Sequence, residues 1–326
     1  MRCLLVTKRE DGEIERRIAT VSESDLPAGD VLVRVQYSSL NYKDALAATG
    51  HVGVVSRFPH VPGIDAAGTV AESNSKKFRV GDEVIVTSFE LGAGRWGAYA
   101  EFIRVPDDWV VPLPAGLTLR ESMILGTAGF TAALSLEAIL RQEIRSDSGE
   151  AVVTGASGGV GTLAVALFAQ AGFRVAAVSG KPDAADLLRR LGAAEILSRA
   201  AVTDQSGKPL LKARWIAAID TVGGAVLSTL LRTMHERGCV AACGLIGGIE
   251  LPLTVYPFIL RGVTLAGINS ATYPSEGRAA LWAKLAGPWR PKLLNELATE
   301  VSLSDLEPKI QDILAGRTVG RVVVKI

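Results

Sequence analysis

The chain has 326 residues, of which 48% are hydrophobic, with 35 Lys and Arg against 34 Asp and Glu for a formal net charge of +1. That length suits two domains with ample burial, and mixed charge without basic blocks argues against a nucleic-acid or membrane-surface protein. No unbroken apolar run reaches bilayer length and the first residues lack a signal-type apolar region, so the cytoplasm is the expected location.

The first third reads as β structure broken by turns. Val31 to Tyr37 alternates, Gly68 to Glu72 is short, and Asp82 to Thr87 follows a Val-Gly-Asp turn; Pro and Gly punctuate them at Leu26-Pro-Ala-Gly29 and Val61-Pro-Gly63. A barrel-like β domain is expected. The regime changes at Thr118, whose spacing to Glu121 is that of a capping box ahead of a long helical segment, Glu121 to Leu140.

The strand Ala151 to Thr154 then runs through Gly155-Ala-Ser-Gly-Gly-Val-Gly161 into a helix-like segment ending near Ala171. This is the opening of a dinucleotide-binding βαβ unit. Gly158 and Gly159 remove side chains where a pyrophosphate approaches the backbone, Gly161 permits close helix–strand packing, and Ala156, Ser157 and Val160 complete the loop. The second strand, Phe173 to Val178, ends in Ser179-Gly180-Lys181 where an NAD site carries an acid. A hydroxyl, an open amide and an ammonium accept a 2′-phosphate that a carboxylate repels, so NADP is favoured; the alternative is a solvated Lys181 after a turn. Arg199, after the third strand Glu195 to Ser198, is a second phosphate candidate.

Strands and helices continue to alternate: helix Ala184 to Leu191, strand Ala217 to Ile219, helix Ala225 to His235, strand Cys239 to Cys243 and strand Val263 to Ile268, as in a doubly wound parallel sheet. Helical stretches Ser275 to Ala286 and Ser304 to Ala315 follow, the latter with capping-box spacing between Ser304 and Glu307 and a stop at Gly316. A final strand, Arg321 to Ile326, is expected to rejoin the β domain. The three cysteines make no disulfide framework. In a strand Cys239 and Cys243 stand about 13 Å apart, too far to share a zinc whose sulfur ligands lie at about 2.3 Å.

Ser39-Leu-Asn-Tyr-Lys-Asp-Ala-Leu46, Phe58 to Val70, Gly126-Thr-Ala-Gly-Phe-Thr-Ala132, the Val153 to Gly161 loop and Ala218-Ile-Asp-Thr-Val-Gly223 together resemble the zinc-free quinone oxidoreductase branch of the medium-chain dehydrogenase/reductase superfamily. Cys239 to Leu245 with Pro257-Phe-Ile-Leu-Arg261 is similar to its NADPH-dependent acryloyl-CoA reductases. The resemblance implies an α/β chain with a GroES-like β-rich catalytic domain (1–122 and 271–326) and a Rossmann doubly wound parallel-sheet domain (123–270). Where zinc-dependent relatives carry Gly-His-Glu, this chain reads Gly63-Ile-Asp65, and no four-cysteine lobe exists, so no metal is expected.

The implied reaction is reduction of the carbon–carbon double bond of acryloyl-CoA to propionyl-CoA, hydride to the β-carbon and proton to the α-carbon. A quinone or general enone reductase is the alternative, and a non-catalytic NADPH-binding protein a remote one. Asn41 and Tyr42 are the catalytic candidates, Tyr42 also a cofactor contact; a turn amide and a half-buried packing aromatic are their bland readings. Asp44 reads as a helix cap and Asp65 as a buried acid in a turn. The resemblance places Thr127 and Leu245 beside the nicotinamide, Ile259 and Asn269 on the far wall, and Arg321 either near a cofactor phosphate or on a surface strand. An acyl-CoA thioester is the expected substrate, and a homodimer joined through the strand Val263 to Ile268 the expected assembly.

Overall fold

The computed structural model describes residues 1–326. They form two units, one of Met1–Thr127, Ser270–Gly287 and Leu294–Ile326, the other of Ala128–Asn269 and Pro288–Leu293. The sequence reading divided the chain as 1–122 and 271–326 against 123–270; here 123–127 and Ser270 group with the first unit and 288–293 with the second.

The chain begins with the hairpin β1 (Arg2–Lys8) and β2 (Ile14–Thr20), then β3 (Val31–Leu40), α1 (Tyr42–Ala48), β4 (Asp65–Ser73), β5 (Glu83–Thr87), β6 (Phe102–Val105), β7 (Val110–Pro112) and α2 (Leu119–Leu140). The second unit carries β8 (Glu150–Val153), α3 (Gly159–Gln170), β9 (Val175–Val178), α4 (Ala185–Arg190), β10 (Ala193–Leu197), β11 (Trp215–Asp220), α5 (Gly224–Thr233), β12 (Met234–Ala242), α6 (Tyr256–Arg261) and β13 (Thr264–Gly267). The chain closes with α7 (Ser275–Ala286), β14 (Ala298–Ser302), α8 (Leu306–Leu314) and β15 (Arg321–Lys325).

In the first unit a mixed sheet runs β14-β15-β3-β4-β5-β7, with β6 also on β3. The alternation seen at Val31, Val33 and Val35 is a half-buried strand: all three are buried with Val70, Val84, Val86 and Ile103 in one apolar cluster. Each such side chain contributes roughly 1.5–3 kcal/mol by leaving water. The final strand does rejoin this sheet, β15 pairing antiparallel with β3 so that Val322 faces Leu40 and Val323 faces Ser39.

Thr118 and Glu121 form their capping box, Glu121 N–H donating to Thr118 Oγ1 at 3.2 Å and Thr118 N–H to Glu121 Oε2 at 3.1 Å. The helix they open is interrupted at Gly126 (φ 51°, ψ −156°). By length and composition alone α2 passes for a membrane span, but 78% of its apolar window is buried inside the protein, which identifies it as a core helix. The second capping box does not form. Glu307 is instead forked by Arg16 at 3.0 and 2.7 Å, Ser304 Oγ accepts from Arg2, and the turn is closed by Ser302 Oγ on Asp305 at 2.6 Å.

In the second unit all six strands are parallel in the order β10-β9-β8-β11-β12-β13. β8, β9 and β11 read as apolar runs because they are covered on both faces, with Val152, Val178, Ala218 and Val240 packed beside Leu227, Leu230 and Leu231 of α5. The strand order reverses between β8 and β11. Ligands of such sheets bind outside the carboxyl ends of the strands at that point.

Candidate active site

The turn from β8 into α3 stands at this crevice. Gly161 is demanded by packing: a Cβ there would lie 2.2 Å from Gly155 O. Gly155 itself has φ 58°, and a Cβ would meet Thr221 Oγ1 at 2.2 Å. At Gly158, by contrast, only Gly155 O comes within 4 Å of a Cβ, at 3.3 Å, so one face of the loop stays open. Gly158 caps α3 with no side-chain hydrogen bond to the helix, leaving the first-turn amides at Gly159, Val160 and Gly161 without intrahelical partners. Ala156 and Ser157 are buried beneath. An anion suits that end of the helix.

Sequence reasoning missed what holds the two sides of the crevice together. Thr154 Oγ1 donates to Asp220 Oδ1 at 2.6 Å and accepts from Thr221 N–H at 3.1 Å, while Gly223 N–H donates to Asp220 Oδ2 at 2.7 Å. Asp220 is fully buried, and burial raises its pKa against these donors. Its signal was the acid that ends the apolar strand Trp215–Asp220. The turn after β12 joins in, Gly247 N–H donating to Val222 O at 2.7 Å and Cys243 N–H to Asp220 O at 2.9 Å. Leu245 is exposed beyond it, as are Ile259 on α6 and Asn269 after β13.

At the end of β9, Lys181 N–H donates to Ser179 Oγ at 3.1 Å. A Cβ on Gly180 would lie 3.0 Å from Arg199 Nε, so the missing side chain lets the guanidinium close over this turn. Burial lowers the Lys181 pKa; Asp183 opposes the shift and Arg199 adds to it. Two cations converge where the sequence lacks an acid, an arrangement suited to a phosphate.

In the first unit, Asp65 is buried at the start of β4 rather than in a turn, and gathers four donors. Its Oδ2 accepts from Ser39 Oγ at 2.6 Å, Asn41 Nδ2 at 2.8 Å and Thr127 N–H at 3.0 Å; its Oδ1 accepts from Thr127 Oγ1 at 2.5 Å. Asp44 does cap α1, accepting from Asn41 N–H at 2.8 Å, and also takes Ile64 N–H at 2.7 Å. Burial, then the charge of Asp65, pushes the Asp44 pKa up to about 7.

Asn41 Nδ2 reaches Asp65 at 2.8 Å and Asp44 at 3.1 Å, and Asn41 Oδ1 accepts from Arg321 at 3.1 Å. Both amide hydrogens are therefore spent inside the protein, and the side chain is an anchor with no proton left to offer a substrate. Arg321 is no surface-strand residue. It is 3% exposed and donates to Ile124 O at 2.8 Å, Leu40 O at 3.3 Å and Ser39 Oγ at 2.9 Å, so its fork is occupied within the unit rather than presented to a phosphate. Tyr42, the first residue of α1, is 39% exposed. That exposure is also what a half-buried packing aromatic would show.

The residues at the zinc position do not fit that metal. Ile64 has no ligand atom and Asp65 is engaged by four donors; His60 Nε2 bonds Gly92 O at 3.1 Å, His51 Nδ1 accepts from Gly53 N–H, and no three His, Cys, Asp or Glu side chains converge.

Residues 27–115 match the alcohol dehydrogenase GroES-like domain family and residues 159–286 the zinc-binding dehydrogenase family. The chain is 46% identical to the probable acrylyl-CoA reductase AcuI of Escherichia coli over 322 residues, covering 99% of each chain. It is likewise 46% identical to the putative quinone oxidoreductase YhfP of Bacillus subtilis, covering 99% of this chain and 98% of that one; the YhfP crystal structure with NAD bound superposes with a TM-score of 0.96. The yhdH oxidoreductase of Salmonella enterica in complex with NADP superposes with a TM-score of 0.97 at 48% identity over the whole of both chains. A GroES-like sheet followed by a β8–β13 nucleotide fold, with relatives of this identity along its full length, makes the chain a member of the medium-chain dehydrogenase/reductase superfamily, in the branch of the acrylyl-CoA and quinone reductases.

Proposed function

We propose that the chain is an NADPH-dependent reductase of acryloyl-CoA, forming propionyl-CoA without zinc. The observation that carries the reading is full-length similarity to an acrylyl-CoA reductase in a chain whose β9 turn bears Ser179 and Lys181, with Arg199 beside it, in place of an acid. The α3 amides at Gly159 to Gly161 hold the pyrophosphate, with Ala156, Ser157 and Gly158 shaping the loop. Ser179, Gly180, Lys181 and Arg199 hold the 2′-phosphate. Thr127, Leu245, Ile259 and Asn269 bound the nicotinamide side.

Bound NADPH supplies a hydride to the β-carbon of the conjugated thioester. The hydroxyl of Tyr42 then delivers the proton, from Oη to the α-carbon, directly or through one water. Asn41 fixes the start of α1, and hence the backbone that carries Tyr42, through its bonds to Asp44 and Asp65. Location in the cytoplasm, where NADPH is the common reductant, belongs to the same reading.

A second copy of the chain completes the assembly. β13 is an edge strand paired only with β12, and Leu245, Ile246, Ile249, Val255, Ile259 and Leu260 are exposed in the same unit. An unpaired edge beside apolar surface favours a two-fold dimer, and sedimentation at micromolar concentration tests it.

A quinone reductase is the second reading, favoured by the similarity to YhfP. NADPH oxidation with acryloyl-CoA, crotonyl-CoA and a small benzoquinone, compared by kcat/KM, decides between them. The proposal expects acryloyl-CoA to lead, and a benzoquinone preference overturns it.

A further inference from the structure

β9 and β10 end in register, Val178 facing Leu197, and Ser179 N–H donates to Leu197 O at 3.0 Å. Carried two residues past the ladder, the same parallel register sets Gly180 beside Arg199. Gly155 has a left-handed backbone and Gly161 is pressed against another stretch of main chain; Gly180 is neither. Its φ lies outside the left-handed region, so the backbone there does not call for glycine. The three heavy atoms nearest to a Cβ placed on it all belong to one side chain, Arg199 Nε at 3.0 Å, Cζ at 3.3 Å and Nη2 at 3.5 Å. What the missing side chain makes room for is the tip of that arginine.

Three atoms of one planar group at nearly equal distances from a point have that point above their plane, so the guanidinium rests face-on against Gly180 rather than edge-on. The N–H donors of a guanidinium lie in its plane and stay clear of that contact. Arg199 is exposed, and no carboxylate holds its guanidinium in an ion pair. Thr203 Oγ1 donates to the Arg199 carbonyl at 2.9 Å, which fixes the main chain that carries the side chain. A fork held by its face alone keeps its edge for two oxygens of one phosphate.

We infer that Gly180 is a specificity-determining residue for the nucleotide: its bare Cα is the shelf on which Arg199 lies flat to fork the 2′-phosphate of NADPH, and a branched side chain at 180 removes that fork. The inference rests on the proposed place of the 2′-phosphate at this turn, and every group it invokes belongs to the second unit. It goes beyond the lack of an acid. A carboxylate at this turn repels the phosphate by charge, whereas a neutral side chain at 180 acts by bulk alone, through Arg199. NADH has a hydroxyl in place of the phosphate and gains nothing from the fork, so the shelf bears on the choice between the two nucleotides.

The test is a set of dissociation constants, from the fluorescence of NADPH and NADH, for Gly180→Ala, Gly180→Val, Arg199→Ala and the double variant Gly180→Val with Arg199→Ala. A lone Cβ moves the arginine by only a few tenths of an ångström, so Gly180→Ala should keep the preference for NADPH within about threefold of the parent's and be at least as heat-stable. Gly180→Val and Arg199→Ala should each cut that preference about tenfold or more, the scale of a charge-assisted fork. The double variant should prefer NADPH no less than Arg199→Ala alone, because the valine has no arginine left to displace. A preference in Gly180→Val within about twofold of the parent's, or losses that multiply in the double variant, overturns the inference while leaving the reductase reading intact. A parent chain that binds NADPH no more tightly than NADH overturns both.

Discussion

Gly126 lies so close to Asp65 that a Cβ on it would stand 2.5 Å from Oδ2, and 2.9 Å from both Arg321 Nη2 and Ser39 Oγ. The break in α2 is what admits Thr127 N–H to the Asp65 carboxylate. Gly126→Ala should therefore both crowd the buried cluster and place a side chain in a conformation only glycine adopts readily. Chemical denaturation should report a loss of about 3 kcal/mol or more, and a variant as stable as the parent would contradict this geometry.

Lys181→Ala should weaken NADPH binding by about tenfold or more while changing NADH binding less than about twofold, as the proposed 2′-phosphate role requires. Titration calorimetry with the two nucleotides checks it. Equal losses would reduce Lys181 to a turn residue.

Tyr42→Phe keeps the ring and removes the proton. The expected outcome is a fall in kcat of about 100-fold with NADPH affinity unchanged, as the proposed proton-donor role requires. Single-turnover kinetics read this directly, and an unchanged rate moves the proton donor elsewhere.

Asp44 gives a signed pH dependence. Its folded pKa stands near 7, above the ordinary carboxylate value, because burial and then Asp65 disfavour its charge. Between about pH 4 and pH 7 the native state thus binds more protons than the unfolded chain, and this group's contribution to stability falls as pH rises, by at most about 1.4 kcal/mol per unit. Asp44→Asn abolishes that titration. Relative to the parent, the variant's stability should fall less, or rise more, as pH rises across the window, and an unaltered slope would contradict the assignment.

The crevice was legible in the chain because its determinants are local: apolar strands, the small residues from Gly155 to Gly161, and a β9 end without an acid are each read within a few positions. The closing strand was legible for the same reason, Val322 to Val324 being flanked by a helix stop. Gly126 was not, since apolar residues on both sides carry the helical pattern through it, and only Asp65, 61 positions away, dictates the break. Arg321 and Ser88 are alike in this respect. Nothing near Arg321 marks it as buried until β15 enters beside β3, and nothing near Ser88, with φ 65°, signals a left-handed residue until Arg278 arrives from α7 to bond Thr87 O at 3.0 Å. The failed capping box at Ser304 shows the converse, a sound local pattern overruled when Arg16 claims Glu307.

The most direct measurement is product analysis of acryloyl-CoA reduced by NADPH carrying deuterium at C4 on both faces, with a parallel reaction of unlabelled NADPH in D2O. The account predicts propionyl-CoA with one cofactor deuterium at C3 and one solvent deuterium at C2. Oxidation of NADPH by benzoquinone with no propionyl-CoA formed, or solvent deuterium at C3, would contradict it.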